Sequence, residues 1–329
     1  MAIVGIERLV YAVHDLKESI RFFEDFGLKH DEEVEENNVF LLPEGSRVIL
    51  HAVGHASLPA NSKIMGTGVH EVIWGVDTEH ALERLIGRIS QTLTVSRGTD
   101  GIARFVPGFG VPMGLQLFTK RPVVCAPDPL NAPGHVRRLN QHRKWRKRAL
   151  PKVIAHAVFA VPNFETAHEF MMDVLGFRLS DSQRGFGVYL RADGANNHHN
   201  FLLLNANAPL PDMDGTVKFH HANFGVEDID EIMIGANHMA RRGWEASHFG
   251  LGRHRIDSAL FYYLPCPAGG EAEYGADSDY VDDSWVPRNW TNPLFGYAHH
   301  VHNLPPFLKD EPDWEIAFLQ GDAGTGARP

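Results

Sequence analysis

The feature that most constrains the fold is an internal repeat. Residues 6–28, IERLVYAVHDLKESIRFFEDFGL, and residues 154–177, IAHAVFAVPNFETAHEFMMDVLGF, each suggest an alternating apolar strand, then Asp or Asn, then an amphipathic helix that ends near a glycine. A second pair of similar segments begins at Val69 and at His220, where the tripeptide WGV aligns with FGV. Because each copy of a repeat forms the same supersecondary unit, the sequence predicts an α+β protein of two homologous halves, each doubled again as strand–helix–strands.

The chain is long enough for two ordinary domains, each with its own core. We predict an N-terminal domain over residues 1–133, a basic linker over 134–152, a C-terminal domain over 153–290 and an extension over 291–329. The linker contains the basic run HVRRLNQHRKWRKRALPK. A single basic run without a binding fold is weak support for a nucleic-acid patch. We therefore interpret it as a solvated connection with Trp145 packed on a domain.

Composition excludes several classes of protein. The 31 basic and 41 acidic residues oppose general nucleic-acid affinity. No apolar run approaches the roughly 20 residues of a membrane helix, and the first residues lack the pattern of a signal peptide. With Cys125 and Cys266 as the two cysteines, no disulfide framework is expected, which favours a cytoplasmic location. The 20 histidines are unusual, and histidine is the commonest metal ligand and a proton carrier near neutral pH.

The histidines that differ between the two halves are the informative ones. In the alignment of the repeats, His156 falls on Arg8 and His221 falls on Glu71. His220, in contrast, falls on a histidine of the first half, which indicates a role that both halves share, such as the fold. Of the two adjacent histidines, His221 is therefore the candidate for chemistry.

Strand alternation favours the same choice. Neighbouring side chains on a strand point to opposite faces, so His220 is expected on the apolar face. His221 and Asn223 are expected on the other face, where they could line a cup. The two adjacent histidines are thus predicted not to reach one site. Taken alone, either His156 or His221 is better explained as a hydrogen-bonded core histidine.

A carboxylate supplies the third member of a candidate metal site. In the segment PAGGEAEYG, a turn at Pro267 and Gly269 leads into a short strand that carries Glu273. A buried carboxylate requires a partner, because an unpaired buried charge is costly. Two histidines and one carboxylate on separate strands would form a facial triad, the ligand set of non-haem Fe(II) oxygenases, with neighbouring coordination positions left open.

The chain resembles the type I extradiol ring-cleaving dioxygenases of the vicinal oxygen chelate, or glyoxalase–bleomycin resistance, superfamily. The resemblance runs over about residues 5–296 and is most specific after Lys152; it rests on AHAVFAVPNFETAHEFMMDVLGF, NNHHNFLLL, FHHANFGVED, GLGRHRIDSALFYY and PAGGEAEYG. It implies two tandem vicinal-oxygen-chelate domains, each of paired βαβββ modules that form a cupped, nearly closed sheet. It also implies an oxidoreductase that cleaves a catechol-type diol with O2, incorporates both oxygen atoms and serves aromatic catabolism.

The resemblance assigns roles to particular residues. It implies Fe(II), with Mn(II) as the alternative, bound by His156, His221 and Glu273. His199 would be the acid–base residue, and His254 and Tyr263 would act near dioxygen and the substrate. In the first half, Arg8 and Glu71 replace the histidines and Phe118 falls near the glutamate position, so that half is expected to bind no metal. A homo-oligomer is also implied.

Further residues and functions remain open alternatives. Three residues are expected to line or cover the substrate pocket: His248, Asn223 and Trp285. His198 is expected on the opposite side of its strand from His199, in a surface or packing role. The cluster HHVH, at residues 299–302, is an alternative metal site, expected near the entrance. The alternative functions are a glyoxalase-like metal-dependent isomerase or lyase, and a non-catalytic protein that binds an aromatic ligand.

Overall fold

The repeated strand–helix segments form the elements that the sequence predicts. Asp15 caps the first helix, and its side chain accepts a hydrogen bond of 2.8 Å from the backbone N–H of Glu18. Gly27 ends the same helix with a φ of 110°, a left-handed conformation that favours glycine. The computed structural model describes residues 2–209, 213–291, 293–309 and 316–318.

The N-terminal half contains two strand–helix–three-strand modules. The first module is β1 (Ile3–Val13), α1 (Leu16–Phe26), β2 (Lys29–His30), β3 (Val39–Leu41) and β4 (Arg47–Ala52). The second module is β5 (Gly68–Val76), α2 (Glu79–Ile89), β6 (Ser96–Arg97), β7 (Ala103–Phe105) and β8 (Met113–Leu117).

The C-terminal half repeats the pattern and then adds elements. Its modules are β9 (Val153–Val161), α3 (Phe164–Asp173), β10 (Arg178–Gln183), β11 (Gly187–Arg191) and β12 (Phe201–Asn205), then β13 (Lys218–Gly225), α4 (Ile229–Arg241), β14 (Gly252–Arg253), β15 (Leu260–Pro265) and β16 (Glu271–Ala276). The added elements are β17 (Arg288–Trp290), α5 (Pro293–Tyr297), β18 (His300–Val301), a 3₁₀ helix (Pro306–Leu308) and β19 (Ile316–Phe318).

Each half forms one mixed sheet. Among the described strands, the module strands of the two halves follow the same order when one sheet is read from the opposite edge. The N-terminal sheet has the order β2-β3-β4-β1-β5-β8-β7-β6, and the C-terminal sheet has the order β18-β14-β15-β16-β13-β9-β12-β11-β10-β17-β19. Within every module the first strand is parallel to the last, and two modules meet through their antiparallel first strands, β1 with β5 and β9 with β13. The predicted α+β fold of paired βαβββ modules is confirmed.

The two halves share a hydrophobic core, contrary to the expectation that each would have its own. One continuous cluster of buried side chains includes residues of both sheets and of the helices between them. Phe26 stacks on Tyr274 with ring centroids 4.1 Å apart, and the Tyr274 hydroxyl donates a 2.7 Å hydrogen bond to the Phe26 carbonyl. Phe22 meets Trp244 edge-on at 5.0 Å. The N-terminal half therefore supports the C-terminal sheet directly.

The basic segment 134–152 forms neither helix nor strand, and its charges pair with acidic residues at the start of α4. Arg143 pairs with Asp230, and Arg146 lies 3.0 Å from the Asp228 carboxylate. The predicted packing of Trp145 is wrong, because this side chain is 89% exposed. Part of the basic charge of the segment is thus balanced by the protein's own carboxylates.

Part of the predicted extension joins the C-terminal sheet. β17, at the end of the predicted C-terminal domain, adds to the edge beyond β10. From the extension itself, β19 pairs with β17, and β18 adds to the edge beyond β14. Residues 292, 310–315 and 319–329 of the extension lie outside the described residues. Across the described chain, none of the helices has both the length and the apolar character that spanning a membrane requires.

Replacing Phe26 with Ala is expected to lower the free energy of unfolding by about 3–5 kcal/mol, because its fully buried ring joins the two halves. Denaturant unfolding followed by fluorescence and by circular dichroism measures the change. Both halves should unfold in one transition, since their core is continuous. Met65→Ala, at a side chain that is 60% exposed, is the control and should change stability by less than about 0.5 kcal/mol. Two separate transitions would contradict the shared core.

Candidate metal centre and cavity

Three neighbouring strands bring the candidate metal ligands together. His156 lies on β9, His221 on β13 and Glu273 on β16, and β13 pairs with both of the other strands. The register sets Asn223 of β13 opposite both His156 and Glu273. All three candidate side chains are buried, and Glu273 is only 1% exposed. The repeat topology thus positions three donors from distant parts of the sequence at one point.

The ligand atoms of these side chains converge closely. His156 Nε2 lies 3.2 Å from His221 Nε2, and Glu273 Oε2 lies 3.3 Å and 3.4 Å from these two nitrogens. Glu273 Oε2 is buried and has no hydrogen-bond partner among the described residues. Burial, reinforced by neighbouring imidazoles, lowers the pKa of His221 well below its ordinary value, which favours the neutral form that binds metals.

The donor set fits a divalent transition metal. A buried carboxylate oxygen without a hydrogen-bond donor is costly, and a cation between it and two imidazole nitrogens would remove that cost. Two imidazoles and one carboxylate on one side of an ion leave other positions open for exogenous ligands. His156, His221 and Glu273 are therefore the residues that could hold a metal ion.

A β-bulge changes the expected role of the adjacent histidines. The pairing of β13 with β9 shifts between Phe219 and His221, so that His220 is the extra residue. Both histidines line the same cavity, and His220 Nδ1 lies 2.7 Å from His221 Nδ1. The prediction that strand alternation keeps them apart is wrong, because the bulge breaks the alternation. The contact also occupies His221 Nδ1 and leaves its Nε2 facing His156 and Glu273.

His199 lies directly beside the candidate ligands. Its ring stacks on that of His156 with centroids 4.1 Å apart, and both side chains line the cavity. Burial, followed in effect by the His156 imidazole, lowers the pKa of His199 well below its ordinary value. His199 is therefore neutral near pH 7 and has a lone pair that can accept a proton.

His254 and Tyr263 form a hydrogen-bonded pair on the same cavity wall. His254 Nδ1 lies 2.6 Å from the carbonyl oxygen of Tyr297, which can only accept a hydrogen bond, so Nδ1 carries a proton. In the neutral imidazole, Nε2 then accepts from the Tyr263 hydroxyl at 3.1 Å. Burial raises the pKa of Tyr263 well above its ordinary value, so the phenol stays protonated.

These polar groups line one side of a cavity of about 830 Å³. The remaining wall is largely apolar; its side chains include Phe186, Leu202, Leu204, Met213, Ile256 and Leu294. The segment after β18 also contributes, through Leu304 and Phe307. An apolar cavity with a few convergent polar groups is typical of a small-molecule site.

Of the three predicted pocket residues, one lines the cavity and two do not. His248 lines the cavity as expected. Asn223 does not: it is buried with its amide against Gly275, where an added Cβ would lie 2.2 Å from Asn223 Nδ2. Trp285 lies outside the cavity as well, because its indole N–H donates to the Ser180 carbonyl at 2.8 Å and its ring packs on Arg288. The predicted pocket roles of Asn223 and Trp285 are therefore wrong.

The described residues do not support the alternative metal site in HHVH. Its three histidines, His299, His300 and His302, are exposed. Within the described chain, the groups of metal-binding side chains that converge are His156, His221 and Glu273, and a second group formed by His198, His199 and Asp257. Sequence reasoning missed Asp257, although it follows His254 by three residues.

The N-terminal half fills the equivalent positions with salt-bridged side chains. Glu71, which corresponds to His221, accepts a 3.0 Å hydrogen bond from Arg104 Nε. Arg8, which corresponds to His156, donates to carboxylate and amide oxygens beside it. Ion pairing thus occupies the side chains at the place where the C-terminal half has imidazoles.

The strand register also corrects the position expected for the third ligand in that half. Asn223 pairs with Glu273 in the C-terminal sheet, and the corresponding Ile73 pairs with Gly114. Gly114, rather than Phe118, therefore occupies the glutamate position. Phe118 packs against Gly75 instead, where an added Cβ would lie 2.4 Å from its ring.

Comparison with known proteins agrees with this fold. Residues 153–264 match the model of the Glyoxalase/Bleomycin resistance protein/Dioxygenase superfamily, so this part of the chain is similar to that superfamily. Metapyrocatechase 2 of Cupriavidus necator is 33% identical over 139 residues, which cover 42% of this chain and 41% of the relative. An iron-dependent extradiol dioxygenase of Rhodococcus jostii is 33% identical over 166 residues, 46% of this chain and 53% of the relative. The chain thus spans about half the length of these relatives.

Solved structures extend the likeness of the fold to almost the whole chain. A Mn(II)-bound glyoxalase from Novosphingobium aromaticivorans has a TM-score of 0.70 at 20% identity and covers 95% of this chain and 96% of its own. The halotolerant catechol dioxygenase BphC has a TM-score of 0.69 at 18% identity, with 96% and 99% covered. Both therefore have the fold of this protein.

Metal content should distinguish the two adjacent histidines. Protein reconstituted anaerobically with Fe(II) or Mn(II) is expected to hold one ion per chain by elemental analysis, and His221→Ala should lose it. His220→Ala should keep this stoichiometry with an affinity about 10- to 100-fold lower, because His220 contacts a ligand rather than the ion. His300→Ala is the control for HHVH, and loss of the ion in this variant would contradict the assignment.

Proposed function

We propose that the protein is an extradiol dioxygenase that cleaves a catechol-type aromatic diol with O2 and incorporates both oxygen atoms. The observation that carries the proposal is the convergence of His156, His221 and Glu273 beside His199, with the His254–Tyr263 pair on the wall of the same cavity. The names of the matched relatives, a metapyrocatechase and an iron-dependent extradiol dioxygenase, support it.

We propose that His156, His221 and Glu273 hold Fe(II), with Mn(II) as the alternative. When bound, such an ion supplies a Lewis-acidic centre with adjacent open positions for a diolate and dioxygen. The protein's contribution is to favour the neutral form of the His221 imidazole and to aim three donors at one point. The iron named for one relative supports the choice of Fe(II).

The proton transfers are assigned to residues around this centre. His199 is neutral and buried beside His156, so it can take a proton from a diol hydroxyl and return it later in the reaction. Tyr263 stays protonated, and its single O–H, which points to His254 Nε2 before a substrate binds, can turn to donate to a substrate oxygen. His254 orients that hydroxyl through the 3.1 Å contact of its Nε2. Each residue thus has a separate task within one cavity.

The cavity favours a diol that carries a bulky apolar substituent. Its volume of about 830 Å³ is in the upper part of the range for small-molecule sites, roughly 300–1,000 Å³. A single catechol ring would leave much of the apolar wall formed by Phe186, Leu202 and Met213 without contact. A bicyclic diol, or a monocyclic diol with an alkyl or aryl group, would bury that surface. A cytoplasmic location, a homo-oligomeric state and a role in aromatic catabolism are further parts of the proposal.

Oxygen uptake tests the reaction. Anaerobically reconstituted protein is expected to consume oxygen with substituted catechols and to form a yellow ring-opened product in equal amount. Glu273→Ala should abolish both signals, whereas Glu245→Gln, at an exposed glutamate, should leave them unchanged. Metal binding without oxygen uptake on any diol would favour the isomerase or lyase, and absence of metal binding would favour a ligand-binding protein.

Replacing His199 with Ala tests the acid–base assignment. The variant should still bind the metal and the diol, because His199 is not one of the three proposed ligands. Its kcat should fall about 10²- to 10⁴-fold, the usual contribution of a general acid or base. Steady-state oxygen uptake and anaerobic diol titration separate the two effects. An unchanged kcat would exclude His199 from proton transfer.

A further inference from the structure

We infer that His198 is a positioning residue that fixes the orientation and tautomer of His199 through a buried chain of hydrogen bonds ending at Asp181. The inference rests on the proposed function, in which His199 handles the diol proton. It excludes the surface role that was one of the two expectations and goes beyond the packing role, because His198 is fully buried and lies between His199 and Asp181.

Asp181 anchors the chain as an ionised carboxylate. It is fully buried on β10, and Arg288 Nη2 lies 2.6 Å from its Oδ2. The backbone N–H of Arg288 and the indole N–H of Trp290 also donate to it, at 2.7 Å and 3.1 Å. Surrounded by donors and paired with a guanidinium, this carboxylate can only accept hydrogen bonds.

The direction of the remaining hydrogen bonds follows from that restriction. His198 Nε2 lies 3.2 Å from Asp181 Oδ2, so Nε2 must carry the proton. Arg288 already balances the charge of Asp181. In the neutral imidazole of His198, Nδ1 is then an acceptor. His199 Nδ1, 3.2 Å away, is the donor to it. The lone pair of His199 is thereby placed on Nε2, the nitrogen outside the chain.

A second carboxylate, that of Asp257, is less well placed to set the tautomer of His199. Asp257 Oδ2 lies 3.8 Å from His199 Nδ1, beyond hydrogen-bonding distance. This oxygen already accepts from the Ser278 hydroxyl at 3.1 Å. His198 is therefore the partner that sets the tautomer of His199. The ring of Tyr189 packs edge-on against both histidines. Its centroid lies 5.9 Å from that of His198 and 5.0 Å from that of His199.

The test compares His198→Phe with His198→Gln. Phe keeps the ring shape and removes both nitrogens, while Asp181 retains Arg288 and Trp290, so the fold should survive. The kcat for ring cleavage should fall about 10- to 100-fold, with metal content and the KM for the diol unchanged within about twofold. Gln should restore most of the activity, because its amide oxygen can accept from His199 Nδ1. His168→Phe, at a half-buried histidine on α3 outside the cavity, is the matched control.

A double-mutant cycle separates positioning from a general structural effect. In a His199→Ala background, His198→Phe should lower kcat less than about twofold, because its effect acts through His199. An equal loss in both backgrounds, or full activity in His198→Phe, would overturn the inference while the proposed function stands. A wild-type protein without ring-cleaving activity would overturn the proposed function and the inference together.

Discussion

The burial of the Glu273 carboxylate against two imidazoles is the interaction on which the C-terminal half depends. A carboxylate that is 1% exposed and lacks a hydrogen bond on Oε2 would cost several kcal/mol without a compensating cation. Its position is fixed by β16, whose parallel pairing with β13 fixes the distance to His221. The antiparallel pairing of β13 with β9 fixes the distance to His156. The strand order therefore determines the geometry of the proposed centre.

The two halves differ in what compensates the charge of a buried carboxylate. In the N-terminal sheet, the buried Glu71 is balanced by Arg104, and Gly114 stands where the C-terminal sheet has its glutamate. That site is complete without an ion. Its contribution to the other half is packing, because the ring of Phe26 on α1 stacks on that of Tyr274, on the strand that carries Glu273. One topology thus supports an ion-paired half and a half with convergent metal-binding donors.

The repeat made the fold and the convergence of the three candidate ligands predictable. In the structure the first strands of two copies pair with each other, and the last strand of each copy lies beside its first. His156, His221 and Glu273 then fall on adjacent strands. Local deviations were not predictable in this way. The bulge at His220 has no sequence signal, because it depends on how β13 meets β9 in three dimensions. Trp145 illustrates the same limit, since its exposure depends on which carboxylates the neighbouring arginines reach.

The residues that follow the fourth module explain why the surroundings of the centre were harder to predict than its ligands. Arg288 and Trp290 reach Asp181 from more than a hundred residues away, on a strand that no repeat contains. The same C-terminal segment supplies Leu294 and Phe307 to the cavity wall. The modules therefore supply the donors of the proposed metal centre. The added segment shapes the space for the substituent of the ring and anchors the histidines beside it. A change of substrate could consequently arise in this segment without altering the strands that hold the ligands.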